Sequence, residues 1–500
     1  MQNSVIDYIL YSSENFGNKA AYDDTDNQIS FRETEIMSAH IASSILEWHL
    51  FNEPILVITE RNVFTPIAFL GIARAGCYYI PVDSTLNSNR INQIIEASDA
   101  KLLITTESLK QTVDGLNYEG AVLTIENALT CNINRSALTE IERKLQSNMP
   151  LYVIFTSGST GKPKGVITSH LSLMNYIEAV DDVLMLQETD VIGNQSPLDY
   201  IAAIRDIYLP LKTGATTIII PKSKFAMASE LAETIESYHI SVLCWSAAGL
   251  EVASKTGLLE ELKTKDIRKI LFSGSILPGS VLKEWQQHFP AAQFINQYGP
   301  TETTASCTYY IVTEEATDNT ILPIGIPYKN YSIVLLDQDG NEVKDGEIGE
   351  ICVSGLGVTL GYYRDKELSD KSFIQNPLNH KYREIIYKTG DLGKYDTSGM
   401  LLFCGRKDRQ IKHLGHRIEL EEIELAAKRI DGVDDCVATY DSSKETLFLI
   451  YSGDAEKKDI VLNFRKKMPS FMVPRKVVKV EEIPHLPNGK VDAKAINDLM

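Results

Sequence analysis

The 500-residue sequence predicts an α/β protein: stacked layers of helix and largely parallel sheet, a small β-barrel-like part, and a small α+β domain at the C-terminal end. Three observations predict it. Short β-rich apolar runs alternate with amphipathic helical patterns through the first 300 or so residues. From residue 321 that text gives way to β-branched segments punctuated by turns. A polar stretch at residues 405–410 then sets off a final compact segment.

Residues 54–59, 101–105, 151–155, 216–220, 241–244 and 269–272 are short and apolar on both faces, as buried parallel strands are. Asp339-Gly340 and Asp345-Gly346 are turn signals between the β-branched segments 331–336 and 349–354, which predicts an antiparallel hairpin or small barrel. A helix is predicted around residues 419–429. The expected division is 1–407, with the barrel-like part at about 321–400, and 408–500 as a small mobile domain.

Composition narrows the class. A chain this long exceeds what one hydrophobic core usually supports, and 44% hydrophobic with 23% charged residues is ordinary globular usage. The net charge of −18 opposes nucleic acid or an anionic membrane surface as partner. That excess lies in the larger part, because residues 409–500 hold 16 basic and 16 acidic residues, leaving 33 against 51 of the totals of 49 and 67. Seven scattered cysteines without a C-x-x-C pair argue against a disulfide framework or zinc cluster and fit a reducing cytoplasm. Neither a secretory signal nor an apolar run of about 18 residues is visible.

The first motif with chemistry is Thr156-Ser157-Gly158-Ser159-Thr160-Gly161-Lys162-Pro163-Lys164-Gly165, directly after a strand. Glycines let backbone approach a phosphate, hydroxyls and amides donate to its oxygens, and the lysines balance its charge. The alternative is a flexible connector. It is not a Walker A loop, because Pro163 follows Lys162 where Ser or Thr is needed. His413-Leu414-Gly415-His416 has a metal-pair spacing, but with no further ligands nearby an ordinary loop is the better reading.

Six motifs stand in one order along nearly the whole chain: Ala73-Arg74-Ala75-Gly76 with Pro81-Val82-Asp83; the loop 156–165; Asn296-Gln297-Tyr298-Gly299-Pro300-Thr301-Glu302; Tyr387-Lys388-Thr389-Gly390-Asp391-Leu392; the segment 405–424; and Pro487-Asn488-Gly489-Lys490-Val491-Asp492. In these the sequence resembles the adenylate-forming ligases, and within them the amino-acid adenylation domains of nonribosomal peptide synthesis and the free-standing D-alanine:carrier-protein ligases. The resemblance implies ATP and Mg²⁺ as cofactors. It implies contacts to ATP from Thr156, Ser157, Gly158, Ser159, Thr160, Gly161, Lys164, Ser275, Asn296, Gly299 and Arg406, with Tyr298 on adenine and Asp391 on the ribose hydroxyls. Thr301 would contact the α-phosphate, Glu302 would hold Mg²⁺, Asp408 would be a hinge, and Lys490 would bridge carboxylate and α-phosphate in the transition state. The small domain would rotate to offer first Lys490 and then the surroundings of Gly415, where a phosphopantetheine thiol would arrive.

In amino-acid-activating relatives an Asp binds the substrate ammonium in the segment matching residues 194–208. Here Ile201 takes its position, not Asp199, and an isoleucine cannot pair with a buried ammonium. Arg205 falls at a pocket-lining position, suited to a second carboxylate or another acceptor, unless it pairs with Asp206 or Asp199 instead. Asp199, Tyr200, Ala202, Cys244, Leu271, Ser273, Gln297, Ala305 and Ser306 complete the candidate wall, which would take a compact polar acid. The expected function is ATP-dependent adenylation of such an acid, followed by transfer to a separate carrier protein, since the sequence holds no carrier segment after Lys490. A coenzyme A ligase and an amide-forming ligase are the alternatives; a P-loop ATPase and a non-catalytic binding protein fit worse.

Overall fold

The structure is a computed structural model that describes residues 4–157, 163–407, 409–413, 415–441, 444–484, 495–496 and 498–499. Two large sheets dominate. One has nine strands, its centre formed by the parallel strands Val191–Asn194, Val242–Ser246, Lys269–Ser273 and Gln293–Tyr298. The other has seven, centred on the parallel strands Pro54–Thr59, Tyr78–Asp83 and Leu102–Thr105, with Pro150–Thr156 beside them and Lys164–Ser169 returning antiparallel. The six strands anticipated from apolar runs are all present, because each is shielded on both faces. Pro54–Thr59 is buried at every position.

The principal core fills the space between the sheets and is built from the helices Phe31–Leu46, Phe64–Arg74, His170–Leu184 and Ala203–Thr213. Separate apolar clusters coat the outer faces. Trp245, Trp285 and Leu250 lie outside the nine-stranded sheet, and Ile80, Ile91 and Ile94 outside the other. Five layers result, helix and sheet alternating.

Residues 331–406 form a five-stranded antiparallel sheet. Tyr331–Leu336 pairs with Gly349–Gly355 in the hairpin expected, and the chain turns at Gly340 and Gly346 with φ of +85° and +81°. The C-terminal domain has its own core of Ile418, Ile423, Leu449, Ile460, Phe464 and Met472, beneath the helices Leu420–Ala427 and Lys457–Lys467. No helix among the described residues is long and apolar enough to cross a membrane.

Candidate active site

The carboxyl ends of parallel strands are where open α/β sheets present ligands, and a cavity of about 780 Å³ lies there, between the large sheets and the C-terminal domain. Thr156 closes one strand and Ser157 follows it, Ser246 and Ser273 close two more, and Gly299 follows a fourth. Gly299 suits a crowded bend: a Cβ there would come within 2.5 Å of the Ser306 backbone. The C-terminal domain contributes Gln410, Lys412, Gly415, His416 and Arg417.

Of the residues expected at the nucleotide, Thr156, Ser157, Gly299, Thr301, Asp391 and Arg406 line this cavity. Asp391 binds the Arg406 guanidinium and also accepts from the Tyr298 hydroxyl, so the Tyr298 ring is packed, its centroid 6.4 Å from that of Phe403. Asn296 spends its amide donor on the Pro323 carbonyl at 2.9 Å. Ser275, half-buried, Asn296, Tyr298, Lys164 and Glu302 are not lining residues. Gly158, Ser159, Thr160, Gly161, Lys162, Asp408 and Lys490 lie outside the described residues.

Glu302 is wholly buried and holds the C-terminal domain. Arg417 donates to both carboxylate oxygens at 3.1 and 2.9 Å, Tyr362 Oη donates at 2.7 Å, and Lys164 Nζ stands 3.7 Å away. Burial alone would raise this carboxyl, but Arg417 and Lys164 outweigh it and pull the group down to about 2. Ser157 Oγ donates to the Arg417 carbonyl at 2.6 Å, and Arg90 reaches Glu422 at 3.2 Å, adding two further ties between the domains. Arg417, Lys412 and Arg90 were not singled out from sequence. Arg417 stands on a four-residue strand in a short charged stretch, with no local sign that its partner lies 115 positions away.

Of the residues expected on the acid side, Asp199, Tyr200, Ile201, Ala202, Arg205, Ser273, Ala305 and Ser306 line the cavity. Cys244, Leu271 and Gln297 stand one layer behind, fully buried. Arg205 does pair with Asp206: Nε donates at 3.1 Å, while its terminal nitrogens donate to Gln297 Oε1 at 3.0 Å and the Cys244 carbonyl at 3.1 Å. Its guanidinium is thus held by three oxygen acceptors, with the Cys244 side chain against it as well. Asp206 is held in turn by Asn194, which also binds Arg61. Asp199 does not touch Arg205. It accepts from the Asp83 amide at 3.3 Å, and burial followed by the Asp83 charge pushes its carboxyl up to about 7.

A second cavity of about 670 Å³ reaches the same centre from another side, past Arg61, Phe225 and Val252. Asp83, Asp199, Tyr200, Lys222, Ser246, Gly415 and His416 line both cavities. At their junction the Tyr200 hydroxyl donates to the Gly415 carbonyl at 3.0 Å. Gly415 adopts φ of +81°, a left-handed conformation that favours glycine. His416 stacks on Phe471, ring centroids 3.8 Å apart, and His413 Nδ1 lies 3.4 Å from Tyr440 Oη. No group of three His, Cys, Asp or Glu residues among those described is arranged to hold a metal ion.

This site, at strand ends beneath a small second domain, is that of an enzyme that binds a nucleotide, and the chain belongs to the AMP-binding enzymes, whose family model matches residues 11–363. It is an ATP-dependent, AMP-forming ligase. Among curated relatives, D-alanine--D-alanyl carrier protein ligase of Bacillus cytotoxicus is 33% identical over 476 residues, covering 92% of this chain and 91% of that one. Surfactin synthase subunit 3 of Bacillus subtilis is 30% identical over 94% of this chain, which spans only 36% of that protein. Solved structures share the fold. The adenylation domain AlmE of Vibrio cholerae, in complex with glycyl-adenosine-5'-phosphate, superposes with a TM-score of 0.84 at 21% identity, covering 100% and 98% of the two chains. Holo-PA1221, a protein containing adenylation and PCP domains, gives 0.85 at 22% identity, covering 99% and 84%.

Proposed function

We propose that this chain adenylates a compact polar carboxylic acid with ATP and passes the acyl group to the phosphopantetheine thiol of a separate carrier protein. Residues 1–407 act as the body and 408–500 as a lid. In the first step a carboxylate oxygen attacks the α-phosphorus in line and the bond to pyrophosphate breaks, leaving acyl-AMP. Two anions must meet, so aligned cations and donors do most of the work. Thr156, Ser157 and Thr301 would hold phosphate oxygens, Asp391 and Arg406 the ribose, and Lys490 the charge that develops between acid and phosphate. Glu302 fits Mg²⁺ only with phosphate oxygens completing the shell, and only when Arg417 is withdrawn, since Arg417 now engages both its oxygens. Bound there, the ion would neutralise phosphate charge.

In the second step the thiol attacks the acyl carbonyl, loses its proton, and AMP leaves. The observation that carries the reading is the placement of Gly415 at the junction of the two cavities, which supports assigning this lid position to thioester formation and the second cavity to the thiol arm. Ile201 and Arg205 in the wall support an acid held through acceptor groups rather than through an α-ammonium. The test is an acid-dependent ATP–pyrophosphate exchange screen over amino acids, β-amino acids, dicarboxylates and aryl acids, followed by acceptor comparison. Acyl transfer to free coenzyme A or to an amine, but not to a holo-carrier protein, would overturn the assignment of partner.

A further inference from the structure

The distribution of charge on the C-terminal domain is not explained by its fold. Between Lys457 and Lys479 stand eight cations, Lys457, Lys458, Arg465, Lys466, Lys467, Arg475, Lys476 and Lys479, against one carboxylate, Asp459. All eight are exposed, in a chain whose net charge is −18. None forms an ion pair among the described residues, whereas elsewhere in the domain Lys428 pairs with Asp435, Lys444 with Asp441 and Arg409 with Glu424. Lys457 and Lys458 occupy the first turn of their helix, where a positive charge opposes the helix dipole. Like charges gathered at a local cost, without partners, mark a surface arranged for an anion from outside.

The cations are also shaped into a site. The helix Lys457–Lys467 and the strand Lys476–Lys479 enclose a groove of about 430 Å³ lined by Lys457, Lys458, Arg465 and Arg475, over Val461, Leu462 and Val477. Val461, Arg465 and Arg475 line the catalytic cavity as well, so groove and cavity are continuous. The space is of small-ligand size, whereas a protein partner needs roughly 800 Å² of its own surface buried. Four converging cations match a compact polyanion.

We infer that this groove binds polyphosphate, namely inorganic pyrophosphate leaving the reaction and the triphosphate of incoming ATP. The inference rests on the adenylation reading for the source of the anion and on the groove alone for its binding. An anion crossing a strongly negative surface gains from a positive rim, through local concentration and through faster passage.

Calorimetry of the full chain with magnesium pyrophosphate tests it, comparing the parent with a K457Q/K458Q variant and with R475Q. Neither lysine belongs to the catalytic machinery, and both are exposed, so unchanged circular dichroism and an unchanged or slightly raised Tm are expected. Pyrophosphate binding should weaken about tenfold in the double variant and lose part of its salt dependence. In the exchange assay the KM for pyrophosphate should rise and the KM for the acid should stay. Unchanged pyrophosphate binding overturns the proposal. So does a rise in the KM for carrier protein with pyrophosphate affinity intact, which would assign the face to an acidic protein. Absence of exchange activity in the parent would instead strike the adenylation reading, while the calorimetric result would stand by itself.

Discussion

Replacing Arg417 by Gln isolates the contact that seats the lid. Glu302 is without solvent, and its two oxygens receive Arg417 at 3.1 and 2.9 Å. Removing one member of such a buried pair costs roughly 3–5 kcal/mol, because the other charge is left uncompensated. Lys164, 3.7 Å from Glu302, and the Tyr362 hydroxyl remain to offset part of this, so about 3 kcal/mol is the working figure. Both partners keep their own domains folded, and the loss therefore falls on the seated position of the lid, lowering the equilibrium constant for seating about a hundredfold. Single-turnover transfer from preformed acyl-adenylate to carrier thiol should slow by up to that factor. Acid-dependent ATP–pyrophosphate exchange should change little, since it uses the other lid position. The Glu302 carboxyl is depressed to about 2, so its contribution is fully present above the ordinary carboxylate range and is lost only as pH falls towards 2. The defect should accordingly be the same at pH 6 and pH 8. Equal slowing of exchange and transfer, or transfer at the parent rate, would refute the reasoning.

Lys490→Ala should remove most adenylation, roughly 3 kcal/mol or more of transition-state stabilisation, with ATP binding retained; exchange kinetics beside nucleotide titration check it. Arg205→Met should lower Tm by stranding Asp206, whereas Arg205→Met combined with Asp206→Asn should recover Tm without recovering use of the native acid; recovered acid use would mean that Arg205 serves the fold alone. Asp199, raised to about 7, contributes stability fully present below its ordinary value near 3.8 and lost as pH rises through 7. Asp199→Asn should therefore gain on the parent between about pH 4 and 7, by at most about 4 kcal/mol, in denaturant titrations run across that range.

The layered fold was legible because its strands are buried on both faces and so read as unbroken apolar runs, Pro54–Thr59 above all. The hairpin at Tyr331 was legible because two glycines must bend backward there. Ile201 and Arg205, singled out from sequence, both line the cavity, Ile201 in the turn before the helix Ala203–Thr213 and Arg205 in its first turn. Cys244, Leu271 and Gln297 were assigned to the same wall but stand behind it, since alternation along a strand fixes which face a side chain takes and not how deep the next layer sits. The Glu302–Arg417 pair was illegible for a simpler reason. Glu302 was read only as a metal ligand and Arg417 is an unremarkable charge in its own segment, and only the packing of one domain on the other brings them together. The same holds for the two cavities, whose junction draws on residues from 81 to 416.

Tyr200 lines the space where the acid is expected, and its hydroxyl also holds the Gly415 carbonyl. One side chain is therefore read from both sides. An acid too bulky for the wall can reach the nucleotide only by pushing that ring aside, and the bond to Gly415 goes with it. If Tyr200 contacts the acid, such an acid would be activated yet not delivered, and part of the selectivity would lie in the handover rather than in the choice of what is activated. Fidelity measured by exchange alone would understate it.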